Sequence, residues 1–158
     1  MLIEANDAET GKRFSKEAKE LDGSTLEKLL SMQLTRQGVT DMIDNLNVSA
    51  DVKVLLDRIA QATITIGGAV VWIGRIILKA IFFLLGEFPH ASFGGIAGAV
   101  LGYLVSAIPV IGAVLGGPVT TLLVILGATY GLINDVKFRA FKARTLDVLK
   151  PFDVLKTA

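Results

Sequence analysis

Hydrophobic positions along this chain follow two rules, one on each side of residue 60. In the first part they are sparse and periodic. Leu26, Leu29, Leu30 and Leu34 fall on one helical face, and Val52, Leu55, Leu56 and Ile59 repeat at i, i+3, i+4, i+7. Ser24-Thr25-Leu26-Glu27 has the form of a capping box ahead of the first helix. Ser49 stands as N-cap ahead of the second, with Asp51 in its first turn, where the helix dipole favours a negative charge. Gly38 reads as a helix stop, with a short helical turn from Asp41 to Leu46 after it. Residues 1–23 are polar and mixed in charge, which predicts an extended arm or a helix ordered by a partner.

Beyond residue 59 the polar positions thin out. Residues 59–86 are apolar apart from a stripe that a helix would place on one side: Gln61, Thr65, Gly68, Trp72, Arg75 and Lys79. Then all 47 residues from Phe88 to Asn134 pass without an Asp, Glu, Lys or Arg. A bilayer's hydrocarbon core takes about 20 apolar residues per helix, so this stretch is long enough for two. Pro89 marks a turn, Ser92 caps the helix that follows, and Gly112 to Pro118 reads as a hairpin turn.

The expected fold class is all-α: an integral membrane protein with two or three apolar helices at about 59–86, 92–112 and 117–134. A polar amphipathic N-terminal helical arm precedes them and a basic amphipathic C-terminal helix follows. Three units result: a polar arm over 1–48 with short helices, a membrane-embedded region over 49–134, and a basic tail over 135–158. Gly67-Gly68 would kink the first apolar helix.

Small residues sharpen this picture. Gly94, Gly98, Gly102 and Ser106 recur every four residues, and Gly127 with Gly131 forms a second pair. Such ridges let helix backbones approach closely, a packing that drives association in lipid. The mean hydropathy of +0.59 and the 16 glycines fit the same reading.

Charge sets the orientation. The net charge is +1, but residues 1–60 hold 8 basic and 11 acidic side chains, whereas residues 135–158 hold 6 basic and 3 acidic. Lys137, Arg139, Lys142 and Arg144 lie just beyond the apolar block and predict contact with anionic lipid headgroups. The positive-inside rule then puts the C-terminal tail in the cytoplasm. The polar N-terminus predicts no cleavable signal peptide. With three spans the N-terminus lies outside; with two, both termini lie inside.

Little in the sequence carries chemistry. Without cysteine there is no disulfide or thiolate metal site. The single histidine, His90, has only Glu87 nearby as a fellow ligand, and the glycines from Gly94 to Gly102 do not end in Lys-Ser/Thr as a phosphate loop would. No cofactor, no metal and no nucleic-acid partner is expected, and no enzymatic activity. Arg75 and Lys79 stand apart as cations in an apolar segment, either reaching lipid phosphates or lining a lumen.

The layout is similar to that of the three-helix holins, which also combine short apolar helices with a basic cytoplasmic tail. The run Ala107-Ile108-Pro109-Val110-Ile111-Gly112 resembles the tip of the apolar hairpin in pore-forming colicins, although this chain has too few of the long amphipathic helices that surround it there. The holin-like layout implies a homo-oligomeric pore or channel. The residues themselves point first to a non-enzymatic, lipid-embedded structural or accessory subunit of a larger membrane assembly, packed through its glycine ridges. The pore, with Arg75 and Lys79 on its lumen, is the alternative.

Overall fold

The computed structural model describes residues 1–7, 10–19, 21–89, 91–126 and 135–156, with backbone alone from 135 to 139. The chain is mostly helical, but it opens with strands. β1 (Leu2–Asn6) and β2 (Arg13–Glu17) are joined antiparallel, and β1 pairs on its other side with β3 (Ile64–Ile66), which turns back into β4 (Ala69–Val71). Among the described residues these four strands make one antiparallel sheet in the order β2-β1-β3-β4. In β1, Ile3 and Ala5 are buried while Leu2, Glu4 and Asn6 are exposed, the alternation of a sheet covered on one face only.

The polar arm is therefore not helical at its start, which corrects the sequence expectation. Residues 1–23 offer few apolar side chains, yet the two inward ones of β1, Ile3 and Ala5, suffice once β3 supplies a partner. The helices begin later: α1 (Gly23–Ser31), α2 (Arg36–Asp44) and α3 (Ala50–Ala60). Ser49 caps α3 as expected, accepting from the Val52 amide at 3.3 Å, and Val52, Leu55, Leu56 and Ile59 are all buried. The α1 cap is Asp22, which accepts from the Thr25 amide and from the Ser24 hydroxyl, so Ser24 supports the cap instead of forming it. Gly38 lies in the first turn of α2, whose cap is Thr35.

The segment 59–86 is not one helix. It begins in the last residues of α3 and continues as the β3–β4 hairpin, with Gly67 and Gly68 at φ of 56° and 84° as the two turn residues. Two consecutive left-handed residues define the tight hairpin turn whose twist matches the strands, and glycine enters that region without steric cost. Ile64, Thr65, Ile66, Val70 and Val71 are β-branched and suit strands better than helix. The remainder forms α4 (Ile73–Glu87).

α5 (Phe93–Ala107) is capped by Ser92, which accepts from the Gly95 amide at 3.0 Å. The bend after it comes at Ile108 alone, and α6 (Pro109–Leu126) starts at once with proline in its first position. The expected turn at 112–118 lies inside α6, and Pro118 sits within that helix. Pro109 can open a helix because the first amides lack partners anyway, so the break moves to the first proline. α6 packs along α5 and crosses onto α3 and β1. Its inner side chains Val110, Ile111, Leu115, Val119 and Leu122 join the core with Ile3, Leu56 and Ile59.

After the undescribed residues come α7 (Asp135–Val148) and a 3-10 helix (Lys150–Leu155). Phe141, Leu149, Phe152 and Leu155 are buried.

Candidate functional site

α6 is the element that most needs explaining. Among the described residues it is the one helix long and apolar enough to cross a membrane. Eighteen residues give a rod of about 27 Å, close to the hydrocarbon thickness. One side of it is core. The other, at Gly117, Thr120, Thr121, Val124 and Ile125, is exposed at the spacing of a continuous helical face. Val124 is 77% exposed and Ile125 47%. That face carries no charge, and its two hydroxyls already donate within the helix, Thr120 to the Gly116 carbonyl at 2.6 Å and Thr121 to the Gly117 carbonyl at 3.2 Å. Back-bonded threonines need no water, so this face loses little when it leaves water.

The small-residue row on α5 divides. Gly94 and Gly98 are buried, Gly102 is half-buried and Ser106 is exposed. A Cβ at Gly102 would meet nothing within 4 Å. A tight approach between α5 and α6 falls at Gly112, where a Cβ would lie 2.9 Å from the Val105 carbonyl oxygen. Gly127 and Gly131 lie outside the described residues, as does His90.

A closer approach lies elsewhere. A Cβ on Gly74 would sit 1.7 Å from the carbonyl oxygen of Ile59, and the Gly74 amide donates to the Ala62 carbonyl. The start of α4 thus presses directly on the backbone at the end of α3. No residue pattern announced this contact, because Gly74 stands alone between Ile73 and Arg75.

That contact shapes a surface groove of about 350 Å³ between α2, α3 and α4. Arg36 and Thr40 line it from α2, Asp57 and Gln61 from the end of α3, and Trp72 and Arg75 from the start of α4. The expected polar stripe is not helical, since Thr65 and Gly68 belong to the hairpin; Gln61, Trp72 and Arg75 nonetheless meet in this groove. The Arg75 guanidinium lies 4.1 Å from the centre of the Trp72 ring. The Trp72 amide donates to the Gln33 side chain at 2.6 Å, which ties the α1–α2 loop to this corner. Lys79, one turn further along α4, is exposed.

Comparison with protein-family models, curated proteins and solved structures gives no match to this chain.

Of the four C-terminal cations, Lys137 and Arg139 lie on the part of α7 described by its backbone alone, and Lys142 is exposed. Arg144 is engaged within the fold. Its Nε donates to Glu87 Oε2 at 2.6 Å, its Nη2 to Glu87 Oε1 at 2.9 Å, and its Nη1 to Asp147 Oδ2 at 2.7 Å. This two-pronged fork holds the Glu87 carboxyl below its ordinary range and raises Arg144 further. Phe88 and Phe141 meet edge to face at 5.2 Å beside it, and Arg144 also faces the Phe83 ring. Lys156 bonds the Tyr103 hydroxyl and pairs with Asp153 at 3.0 Å; these bonds, the Tyr103 one first, raise its pKa. α7 and the 3-10 helix are therefore fastened to α4 and α5. Glu87 and Arg144 are 57 residues apart, so no local pattern could have paired them.

Among the described residues no group of three or more His, Asp or Glu side chains converges on a metal-sized site.

Proposed function

We propose that this is a non-enzymatic structural or accessory protein of a membrane assembly, seated in the apolar phase through the outer face of α6. The observation that carries this reading is that face itself. It is uncharged, its hydroxyls are satisfied within the helix, and it belongs to the most apolar long helix among the described residues. A soluble protein's outer helical face is ordinarily charged. The inner face of the same helix is anchored on α3 and β1, so the outer face is presented by a rigid body. The glycines at 94 and 98 are buried and serve packing; anionic headgroups would meet the exposed Lys142. A subunit interface within a larger complex, or between copies of this chain, would use the same uncharged face.

The alternative, a homo-oligomeric pore with Arg75 and Lys79 on its lumen, draws less from the geometry. Arg75 lies against Trp72 in the groove beside α2 and α3, and only Lys79 projects freely.

Vesicle flotation tests the proposal. The full chain, diluted from detergent onto vesicles of phosphatidylcholine and phosphatidylglycerol, is expected to float with the lipid. The double variant Val124→Asp/Ile125→Asp should stay behind with an unchanged circular dichroism spectrum, since a charge in the hydrocarbon costs about 2.5–3.5 kcal/mol. Wild-type protein that remains in the dense fraction, or a double variant that floats equally well, contradicts the proposal.

A further inference from the structure

The groove between α2, α3 and α4 carries a second inference, independent of whether the protein resides in a membrane. We infer that it is a binding site for a phosphate ester, held by Arg36 and Arg75 with Trp72 as its floor.

Four observations support it. First, Arg75 is half-buried in the first turn of α4, where the helix dipole disfavours a cation. Second, among the described residues neither Arg75 nor Arg36 forms an ion pair or a side-chain hydrogen bond, although Asp57 lines the same groove. Asp57 is instead engaged by the Gln61 amide at 3.0 Å. Two guanidinium groups thus keep their donors free in one concavity, and the planar donor fork of arginine matches phosphate oxygens. Third, the volume of about 350 Å³ suits a headgroup-sized ligand. Fourth, the corner is fixed before any ligand arrives. The Gln33 side chain holds the Trp72 backbone, Gly74 is pressed onto the Ile59 carbonyl, and Trp72 stacks against Arg75. A site fixed in advance loses less freedom on binding.

Phosphate of this kind comes either from a lipid headgroup or from a soluble ester. Trp72 is the chain's single tryptophan, so its fluorescence reports on this groove alone. The full chain in neutral detergent micelles would be titrated with glycerol 3-phosphate and, separately, with dihexanoyl phosphatidic acid. A saturable change in Trp72 emission with both assigns a soluble phosphate ester; a change with the lipid alone assigns a headgroup. Either supports the site. Arg36→Gln, at an exposed position that the fold tolerates, and Arg75→Gln should each weaken binding about ten-fold, the worth of one charge-assisted contact. Lys79→Gln, outside the groove, should not change it. Asp57→Asn should tighten binding by removing the negative charge that lines the groove. No response to either probe, a response unaltered by Arg36→Gln, or weaker binding in Asp57→Asn overturns the assignment. Flotation and this titration fail separately, since the first depends on α6 and the second on the α2–α3–α4 corner.

Discussion

Residues 59–86 and 93–126 look alike as strings, and the structure treats them differently. Both are long, apolar and glycine-containing. The first divides into a hairpin and α4; the second stays helical and bends once, at Ile108. The difference lies in residue shape. The first opens with β-branched residues on both sides of two adjacent glycines, and those glycines take left-handed conformations that a helix cannot use. The second also holds adjacent glycines, Gly94-Gly95 and Gly116-Gly117, but these keep negative φ inside helices that begin with a residue suited to the place, Ser92 and Pro109. Hydropathy reports how much a segment wants to leave water. It does not report whether its backbone will coil or extend.

Substitutions at glycine sharpen this contrast, because the two segments use glycine for different ends. The largest effect is expected at Gly74. Valine there must displace the Ile59 backbone, and the strain should cost about 3 kcal/mol or more, seen as a large fall in the denaturant midpoint or as failure to fold. At Gly67, φ is +56° and the Met1 sulfur lies 3.3 Å from a would-be Cβ, so Gly67→Val should cost about 1–3 kcal/mol for a strained backbone. At Gly102 the sign reverses. Its Cβ meets nothing, and alanine in a helix interior is favoured over glycine, so Gly102→Ala should stabilise by about 0.5–1 kcal/mol. A Gly102→Ala variant as damaging as Gly74→Val would show that the α5 row, and not the α3–α4 contact, carries the tight packing.

The smallest effect concerns the fastening of α7. Its fork with Arg144 depresses the Glu87 carboxyl below the ordinary glutamate range. A carboxyl depressed in the fold stabilises the fold above its unfolded pKa and loses that contribution as pH falls through its folded value. Amide exchange protection over residues 140–156 should therefore drop in acid, after correction for intrinsic rates, and Glu87→Gln should lower the protection at neutral pH and flatten the dependence. Unchanged protection in Glu87→Gln would show that the Phe88–Phe141 and Lys156–Tyr103 contacts hold this segment without the fork.

The sequence made some of this legible. The periodicity of Val52, Leu55, Leu56 and Ile59, and the caps at Ser49 and Ser92, are local signals, and each led to the right element. The sheet was hidden because β1 buries only Ile3 and Ala5 and depends on β3, some sixty residues away, for its second edge. The groove was half visible. Trp72, Arg75 and Gln61 stood out as polar groups in an apolar run, but Arg36 is brought to them by the packing of α2 against α3 and α4. The Glu87–Arg144 fork was invisible for the same reason: tertiary ion pairs have no fixed spacing.

The absence of cysteine allows a direct test of the α6 reading, since a single introduced thiol can be labelled alone. An environment-sensitive nitrobenzoxadiazole dye would be placed at Val124→Cys on the outer face of α6 and, in a separate sample, at Glu4→Cys on the open face of the sheet. On addition of phosphatidylcholine–phosphatidylglycerol vesicles, emission from position 124 is expected to shift to the blue while emission from position 4 stays as in water. No shift at 124, or equal shifts at both, would contradict a protein that meets the membrane through α6.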